Sequence, residues 1–338
     1  MSLPKISFVI PTLNASKVLQ ACLDSIAMQD YPGDLIEIII ADGGSKDNTL
    51  NIARFFKAKI VENPLKTGEA GKSAGVKATT GEYIALVDSD NVLSDTSWLR
   101  RMVEPLLANP QALGSEPWGF TYRPKDGFID RYCALLGMND PICLFIGNYD
   151  RYSILTGKWT NVPHEEQDMG DYLLVKFNKQ GIPTIGANGT VFRADFLKTA
   201  DTNDYLFDID ILAQVIQEQG SVTFIKVKNS IAHTYSGSNI GKFVRKQRRR
   251  INDLMYFRQI GTRKYDWGYQ SNGISLFIIS TILTIPLYVQ SIIGFVKKPD
   301  FAWFFHPFAC WIGLIINTYG VILAGGTAKV ENRSGWSQ

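Results

Sequence analysis

Short apolar runs alternate with amphipathic helical segments over the first hundred residues, and this rhythm limits the fold more than any other feature of the sequence. The apolar runs predict buried strands, and the segments between them have the spacing of helices with one apolar face. Strands covered by helices on both sides are typical of a parallel sheet. The sequence therefore predicts an α/β, Rossmann-like domain with a mainly parallel sheet and helices on both faces. The predicted strands are residues 6–10, 36–40, 60–61 and 83–87, and the predicted helices are residues 18–27 and 49–56.

Small and polar residues follow three of these strands at the point where each strand ends. They are Pro-Thr-Leu-Asn at 11–14, Asp-Gly-Gly-Ser at 42–45 and Asp-Ser-Asp-Asn at 88–91. Because ligands of open α/β sheets bind at the carboxyl ends of the strands, we expect these segments to line one polar crevice. The carboxylates of Asp88 and Asp90 are hard oxygen ligands for Mg²⁺ or Mn²⁺, which can in turn bind a diphosphate.

A stretch rich in glycine and lysine, residues 66–75, lies between the second and third of these polar segments. Glycine allows close backbone approach, and lysine suits phosphate oxygens. The stretch is not a Walker P-loop, because that pattern needs glycine where Lys66 stands, and the sequence contains no G-x-G-x-x-G.

The middle of the chain is less periodic. Prolines interrupt residues 110–185, so we expect irregular substrate-side loops there, apart from a helix at 128–136. Regular patterns return with a predicted helix at 211–219 and a predicted strand at 222–227.

Cysteine, histidine and charge usage exclude several classes of protein. The four cysteines form no C-x-x-C pair and the three histidines lie far apart, so neither a zinc finger nor a disulfide framework is expected. Residues 242–264 carry nine Lys or Arg against one Asp, although the net charge of the chain is only +3. No stacking aromatics interleave with the three consecutive arginines, so we expect no nucleic-acid partner. Anionic lipid headgroups or a diphosphate fit this basic segment better.

Two long uncharged stretches follow the basic segment, 30 residues at 267–296 and 28 residues at 301–328. The windows 274–296 and 301–324 are each long enough to cross a bilayer as a helix, with a kink expected at Pro286. The preceding basic segment fits a cytoplasmic position, but Lys297 and Lys298 in the intervening turn do not fit a hairpin that crosses twice. A re-entrant or tilted hairpin is therefore the alternative, and a buried helical hairpin is a second one.

Several motifs occur in a fixed order within residues 5–255. They are SFVIPTLN at 7–14, DGGSKDNT at 42–49, KSAGV at 72–76, GEYI at 81–84, DSD at 88–90, GTVFR at 189–193 and DID at 208–210. In this order they resemble the inverting nucleotide-sugar glycosyltransferases of family 2, which have the GT-A fold. Membrane-associated members of that family include polyprenyl-phosphate mannosyltransferases and processive polysaccharide synthases.

The resemblance implies a role for each matching residue. Asp42 would hydrogen-bond the nucleobase, although an Asp before two glycines is also a common turn former. Lys72 would approach the diphosphate, and Asp90 would bind the metal. The residues implied in nucleotide binding are Pro11, Thr12, Asn14, Asp42, Lys72, Asp88 and Ser89, and the implied metal ligands are Asp88, Asp90 and His233.

Asp208 matches the second acid of the family's Glu-Asp motif and would be the base that deprotonates the acceptor. Phe207 replaces the first acid, which leaves Asp210 as the alternative, and Asp208 also fits the N-cap of the following helix. His233 is either a metal ligand or a structural histidine.

The segment QRRRI at 247–251 is similar to the Gln-x-x-Arg-Trp element of processive relatives, with Ile251 in place of Trp. Gln247 and Arg250 would contact either the diphosphate or the membrane.

The resemblance implies a nucleoside-diphosphate sugar as donor, with GDP-mannose as the first expectation, a lipid-linked or glycan acceptor, membrane lipids as partners, and Mg²⁺ or Mn²⁺ as cofactor. It divides the chain into a GT-A catalytic domain (1–240), a basic juxtamembrane segment (241–272), two transmembrane helices (273–326) and a tail (327–338). We expect a multi-pass protein of the cell membrane with its catalytic domain in the cytoplasm.

Two other interpretations use the same residues. The run at 85–92 also resembles the motif of haloacid-dehalogenase-type phosphatases, in which Asp88 would be the nucleophile and Asp90 the acid/base. That motif usually opens its domain, whereas two strand-and-helix units precede it here. The third interpretation is a membrane-tethered protein that binds sugar or lipid without catalysis.

Overall fold

The computed structural model describes residues 3–186, 188–199, 205–206, 208–259 and 271–324. In chain order its strands are β1 (Ile6–Thr12), β2 (Ile36–Asp42), β3 (Lys59–Glu62), β4 (Tyr83–Leu86), β5 (Asn91–Leu93), β6 (Ala112–Phe120), β7 (Glu165–Asp168), β8 (Tyr172–Asn178), β9 (Thr190–Arg193) and β10 (Ser221–His233). Its α-helices are α1 (Ser16–Ala27), α2 (Thr49–Phe55), α3 (Gly68–Lys77), α4 (Trp98–Ala108), α5 (Phe128–Leu136), α6 (Ile142–Ile146), α7 (Ala194–Thr199), α8 (Asp208–Gln219), α9 (Ile240–Gln259), α10 (Ser271–Leu283), α11 (Ile285–Lys297) and α12 (His306–Ala324).

The described residues form two compact units. The first combines residues 3–118 with Pro163–His233, and the second combines Gly119–Val162 with residues from Thr234 onward.

The first unit is built on a mixed sheet. The strand order is β3-β2-β1-β4-β9-β6-β10-β8-β7, and β5 pairs with β10 off this path. The strands β1 to β4 pair in parallel, whereas β9, β8, β7 and β5 pair antiparallel with their neighbours. The α/β prediction is therefore confirmed, with a parallel part formed by β1 to β4 and antiparallel strands beside it.

The buried face of α1 shows why the sequence pattern predicts this half of the unit well. Its residues Leu19, Leu23 and Ile26 recur every three or four positions and are fully buried, and the whole of β1 is buried. Strands buried on both faces need the continuous apolar runs that the sequence contains.

The expectation of irregular loops over residues 110–185 is wrong in part. The helix expected at 128–136 is present as α5, but the segment also contains β6, β7, β8 and α6. β6 pairs with β9, and β8 pairs with β10, so the partners of these strands come from later in the chain. Long-range pairing of this kind overrides the local proline signal.

The second unit is helical. Aromatic side chains from α5, α9 and the short 3-10 helix Phe301–Phe305 form its core, in which Tyr132, Phe243 and Trp303 are fully or almost fully buried. The rings of Phe243 and Phe305 meet edge to face at 5.4 Å.

The uncharged windows do not fold as two straight helices. The first divides at Thr284 into α10 and α11, which are bent by 94° relative to each other, with Pro286 in the first turn of α11. Among the described residues, one helical stretch, Phe301–Gly320, is long and apolar enough to cross a membrane, and half of it is buried. The bend predicted at Pro286 is confirmed, but it divides the first uncharged window into two helices.

Candidate active site

Two carboxylates and one imidazole meet at the carboxyl edge of the parallel strands. Asp88 and Asp90 follow β4, His233 ends β10, and the ligand atoms of all three lie within 4.8 Å of one another. The short strand β5 pairs antiparallel with the end of β10, and this register sets His233 opposite Asn91. The Nε2 atom of His233 lies 3.4 Å from Oδ1 of Asp90. Strand pairing thus joins residues that are far apart in the sequence.

The turn after β4 fixes the positions of both carboxylates. The backbone N–H of Asn91 donates to the carbonyl oxygen of Asp88 at 3.0 Å, and the Asn91 Oδ1 accepts from the Asp88 N–H at 2.9 Å. Asn91 also donates from Nδ2 to Oδ1 of Asn188 at 3.1 Å. Asn91 belongs to a polar segment that was expected in the crevice, but its role in closing this turn was not predicted, and Asn188 was not assigned to the site. Ser89, predicted to bind nucleotide, is buried.

The electrostatics of this cluster favour a cation. Burial raises the pKa of Asp88 above its ordinary value, the charge of Lys72 acts against this rise, and the charge of Asp90 adds to it. Lys72 is buried itself, and its positive charge is the strongest influence that lowers the pKa of Asp88. Two carboxylate oxygens and one imidazole nitrogen are a donor set that suits a hard or borderline divalent cation. The residues present therefore fit a metal ion.

Asp42 organises the turn after β2. Its Oδ2 accepts from the N–H groups of Gly44 at 2.9 Å and Ser45 at 2.8 Å, and its Oδ1 accepts from the hydroxyls of Thr12 at 2.9 Å and Ser45 at 2.5 Å. Asn14 holds the same turn, since its N–H donates to the Ser45 Oγ at 2.8 Å. Four accepted hydrogen bonds use the acceptor positions of a carboxylate, so the turn-forming role of Asp42 is present in the structure.

Helix α3 brings Lys72 to the sheet edge. The side chain of Thr67 caps the helix by accepting from the Ala70 N–H at 3.0 Å. Two glycines then let the helix lie directly on β1: a Cβ at Gly71 would stand 2.7 Å from Cβ of Pro11, and a Cβ at Gly75 would stand 2.3 Å from a methyl of Val9. Pro11, predicted to line the nucleotide pocket, is buried under this helix.

The two candidate bases both lie in the first turn of α8. Asp208 is the first residue of α8, and its side chain lies outside the described residues. Asp210, one half-turn later, is 7% exposed. The N–H of Leu206 donates to the carbonyl oxygen of Glu69 at 3.1 Å, so the chain just before α8 is tied to the first turn of α3. That turn precedes Lys72, whose charge acts on Asp88.

Gln247 and Arg250 lie in the second unit, on α9. Gln247 is buried, and its Nε2 donates to the carbonyl oxygen of Asn139 at 2.6 Å. The guanidinium of Arg250 lies 6.0 Å from the ring centre of Tyr235. Ile251, which stands where the relatives have Trp, packs so closely on Gly320 that a Cβ there would be 2.2 Å from an Ile251 methyl. No Trp could occupy this position without moving the helices apart.

Residues 7–131 match glycosyl transferase family 2. This segment resembles a family 2 glycosyltransferase domain. The prediction of the family is thereby confirmed, and the matched segment contains Asp42, Lys72, Asp88 and Asp90, whereas His233 lies beyond it.

Curated relatives that the chain matches carry glycosyltransferase names. The chain is 28% identical over 143 residues to glycosyltransferase AglE of Haloferax volcanii, covering 40% of this chain and 47% of AglE. It is 37% identical over 108 residues to a PGL/p-HBAD biosynthesis glycosyltransferase of Mycobacterium tuberculosis, covering 30% of this chain and 41% of the relative. The chain thus matches less than half the length of these two relatives.

A solved structure with the same fold is the mannosyltransferase PcManGT from Pyrobaculum calidifontis in complex with GDP-Man and Mn²⁺. The TM-score is 0.52 at 15% identity, covering 94% of this chain and 88% of that one. The likeness confirms the predicted GT-A fold.

Proposed function

We propose that this chain is an inverting glycosyltransferase that moves a hexose from a nucleoside-diphosphate sugar to a hydroxyl or phosphate of a lipid-linked or membrane-proximal acceptor. The observation that carries the proposal is the cluster of Asp88, Asp90 and His233 at the carboxyl edge of the parallel strands. The family 2 domain supports sugar transfer as the reaction. The neighbour in complex with GDP-Man and Mn²⁺ makes this donor and this metal the first pair to test.

Each residue of the cluster has a defined role in this proposal. Asp88, Asp90 and His233 hold Mn²⁺ or Mg²⁺, which when bound supplies positive charge that offsets the charge of the departing diphosphate. Lys72 adds a fixed positive charge beside Asp88 and would bind phosphate oxygens. The turn organised by Asp42 forms the wall against which the nucleoside lies.

We assign the base to Asp208. A base must come within hydrogen-bond reach of the acceptor hydroxyl, and Asp208 begins α8 on the chain segment that is tied to α3. Asp210 is almost fully buried, which limits its access to an acceptor. Deprotonation by one carboxylate, with attack on the face of the sugar opposite the diphosphate, inverts the anomeric centre in one displacement and needs no covalent intermediate.

The membrane-proximal acceptor is supported by the second unit. Its helices α10, α11 and α12 expose apolar side chains, and its helix α9 carries the basic segment. Anionic headgroups attract such basic segments at the cytoplasmic face. The proposal therefore places the enzyme at that face, where a lipid-linked acceptor would be within reach.

The test is a panel of nucleotide-sugars assayed with Mn²⁺ or Mg²⁺ for binding by thermal shift and for turnover by release of nucleoside diphosphate. We expect one donor, first GDP-mannose, to bind and turn over. The variants Asp90→Ala and Asp208→Asn should abolish turnover while their melting temperatures stay near that of the unchanged protein. Asp34→Asn, an exposed carboxylate outside the cluster, is the matched control and should remain fully active.

Three results would contradict the proposal. Full turnover in both Asp90→Ala and Asp208→Asn would refute the site assignment. Inhibition by beryllium fluoride, which mimics an aspartyl phosphate, together with phosphate release, would support the phosphatase interpretation through Asp88. Donor or lipid binding without turnover under any metal condition would support the non-enzymatic one.

A further inference from the structure

Apolar exposure in this protein is concentrated in its C-terminal helices. Of the 23 large apolar side chains that are exposed among the described residues, 18 lie between Ile274 and Tyr319. They cover the outer faces of α10 and α11 and one stripe of α12. That stripe consists of Phe308, Trp311, Ile315 and Tyr319, spaced three or four residues apart. A surface of this size marks contact with another apolar phase.

The bent pair of α10 and α11 is too short to cross a bilayer. At about 1.5 Å per residue, the 12 residues of Asn272–Leu283 and the 13 residues of Ile285–Lys297 form helical segments about 18 and 20 Å long. With a bend of 94°, their greatest combined depth in any orientation is about 26 Å. This is less than the hydrocarbon thickness of about 30 Å. The geometry suits a pair that enters one leaflet and returns.

Helix α12 is long enough to cross a bilayer, but the basic helix α9 packs against it. Phe243 of α9 contacts Phe305 just before α12, and Ile251 of α9 packs on Gly320 near its other end. Helix α9 therefore packs against α12, and the stretch of α9 between these contacts contains five cations: Arg245, Lys246, Arg248, Arg249 and Arg250. A crossing by α12 would carry these cations into the hydrocarbon core, which is strongly unfavourable.

The turn between α11 and α12 is anchored to the polar part of the same unit. Asp300 accepts from the Arg131 guanidinium at 2.8 Å and from the Tyr122 hydroxyl at 2.6 Å. The Lys297 ammonium donates to the carbonyl oxygen of Leu155 at 2.7 Å, and the Lys298 ammonium lies 3.9 Å from the ring centre of Tyr122. In a hairpin that crosses twice, this turn would lie across the membrane from the basic helix α9.

We propose that α10, α11 and α12 lie in a single leaflet of an anionic bilayer, with their exposed apolar faces among the acyl chains and α9 at the headgroups, and that none of them crosses. Trp311 and Tyr319 on the outer stripe of α12 are residue types that favour the interface. The basic α9 beside it complements anionic headgroups. This arrangement replaces the two crossings expected from the sequence windows, and it does not depend on the chain being a glycosyltransferase.

Site-specific labelling tests the topology. Single cysteines are introduced as Lys125→Cys in the polar part of the second unit, Pro299→Cys in the turn before α12, and Gln338→Cys at the last residue. The unchanged protein gives the background, because three of its four cysteines are buried. In sealed vesicles, a membrane-impermeant maleimide should label all three sites to the same fraction. Protection of Pro299→Cys relative to Lys125→Cys until detergent is added would show a crossing before α12, and protection of Gln338→Cys alone would show a crossing by α12; either overturns the proposal.

A second experiment tests what covers the apolar surface. The full chain is synthesised cell-free with phosphatidylcholine–phosphatidylglycerol vesicles, and flotation measures bound protein. Val289→Glu, on the exposed face of α11, should weaken binding about a hundredfold, because a carboxylate at acyl-chain depth is strongly disfavoured. Met169→Glu, at a similarly exposed apolar residue of the first unit, should bind as the unchanged protein does. Equal binding of both variants, or a lipid-independent dimer that Val289→Glu dissociates, would overturn the proposal.

Discussion

A buried ion pair inside the first unit gives the sharpest test of its energetics. The ammonium of Lys226 on β10 donates to Oε2 of Glu116 on the neighbouring β6 at 2.6 Å, and the two side chains are 1% and 0% exposed. Breaking such a pair by removing one partner costs about 3–5 kcal/mol, because the other charge stays buried. We therefore expect Lys226→Met to lower the free energy of unfolding by about 4 kcal/mol, or the melting temperature by about 8–16 °C.

The double variant Glu116→Met/Lys226→Met removes both charges and should recover most of that loss, since an apolar pair of similar volume can replace a buried ion pair. Lys228→Met is the matched control: two residues along the same strand, Lys228 pairs with Asp168 at 2.7 Å, but these two side chains are 32% and 63% exposed, so the melting temperature should fall far less than in Lys226→Met. Urea unfolding and differential scanning fluorimetry of the full chain measure all three. A loss below about 1 kcal/mol for Lys226→Met, or an equal loss in the double variant, would refute the reasoning.

The other predictions concern the site. Because burial raises the pKa of Asp88, the folded metal-free protein keeps this side chain protonated at pH values above its ordinary pKa of 3.8. The free energy of unfolding of the metal-free protein should therefore fall as the pH rises through the raised pKa. The thermal shift caused by Mn²⁺ should therefore grow over the same rise in pH, and a pH-independent shift would contradict this. Gly75→Ala should destabilise the protein by about 1–2 kcal/mol through its clash with Val9, measured by urea unfolding, whereas Gly68→Ala, which has open space at the same helix, should not. Asp42→Ala removes four hydrogen bonds and should lower the free energy of unfolding by about 3 kcal/mol. Asp42→Asn should lower it less, because the hydroxyls that face Oδ1 can rotate to accept from an amide. Equal losses of melting temperature in the two variants would contradict this account.

Local periodicity explains why the N-terminal half of the fold was predictable. The strands predicted at 6–10 and 36–40 are β1 and β2, each two residues longer, and the helix predicted at 18–27 is α1. These elements are apolar where they are buried, so their own sequence carries the information. The strand β6 was not predicted, because Pro117 lies within it and its partner β9 lies more than 70 residues later.

The site was predictable only where it lies at strand ends. Asp88 and Asp90 follow β4 as expected, but the residues of α3 looked like a phosphate-binding loop because of their glycines. In the structure Gly71 and Gly75 are contact points of a helix on β1, so packing overrides the low helix propensity of glycine. The position of His233 beside Asp90 depends on the pairing of β5 with β10, and no local pattern encodes that pairing.

His233 lies on β10, the last strand in chain order, and this position matters for the design of chimeric enzymes. The segment matched by the family, residues 7–131, supplies two of the three candidate ligands, and a strand that ends more than 100 residues later supplies the third. Under the proposed metal assignment, a chimera that kept the first segment and took the remainder from another relative would take its metal ligands from both parents. Exchanging β10 alone would then be a direct way to change which divalent cation such a chimera binds.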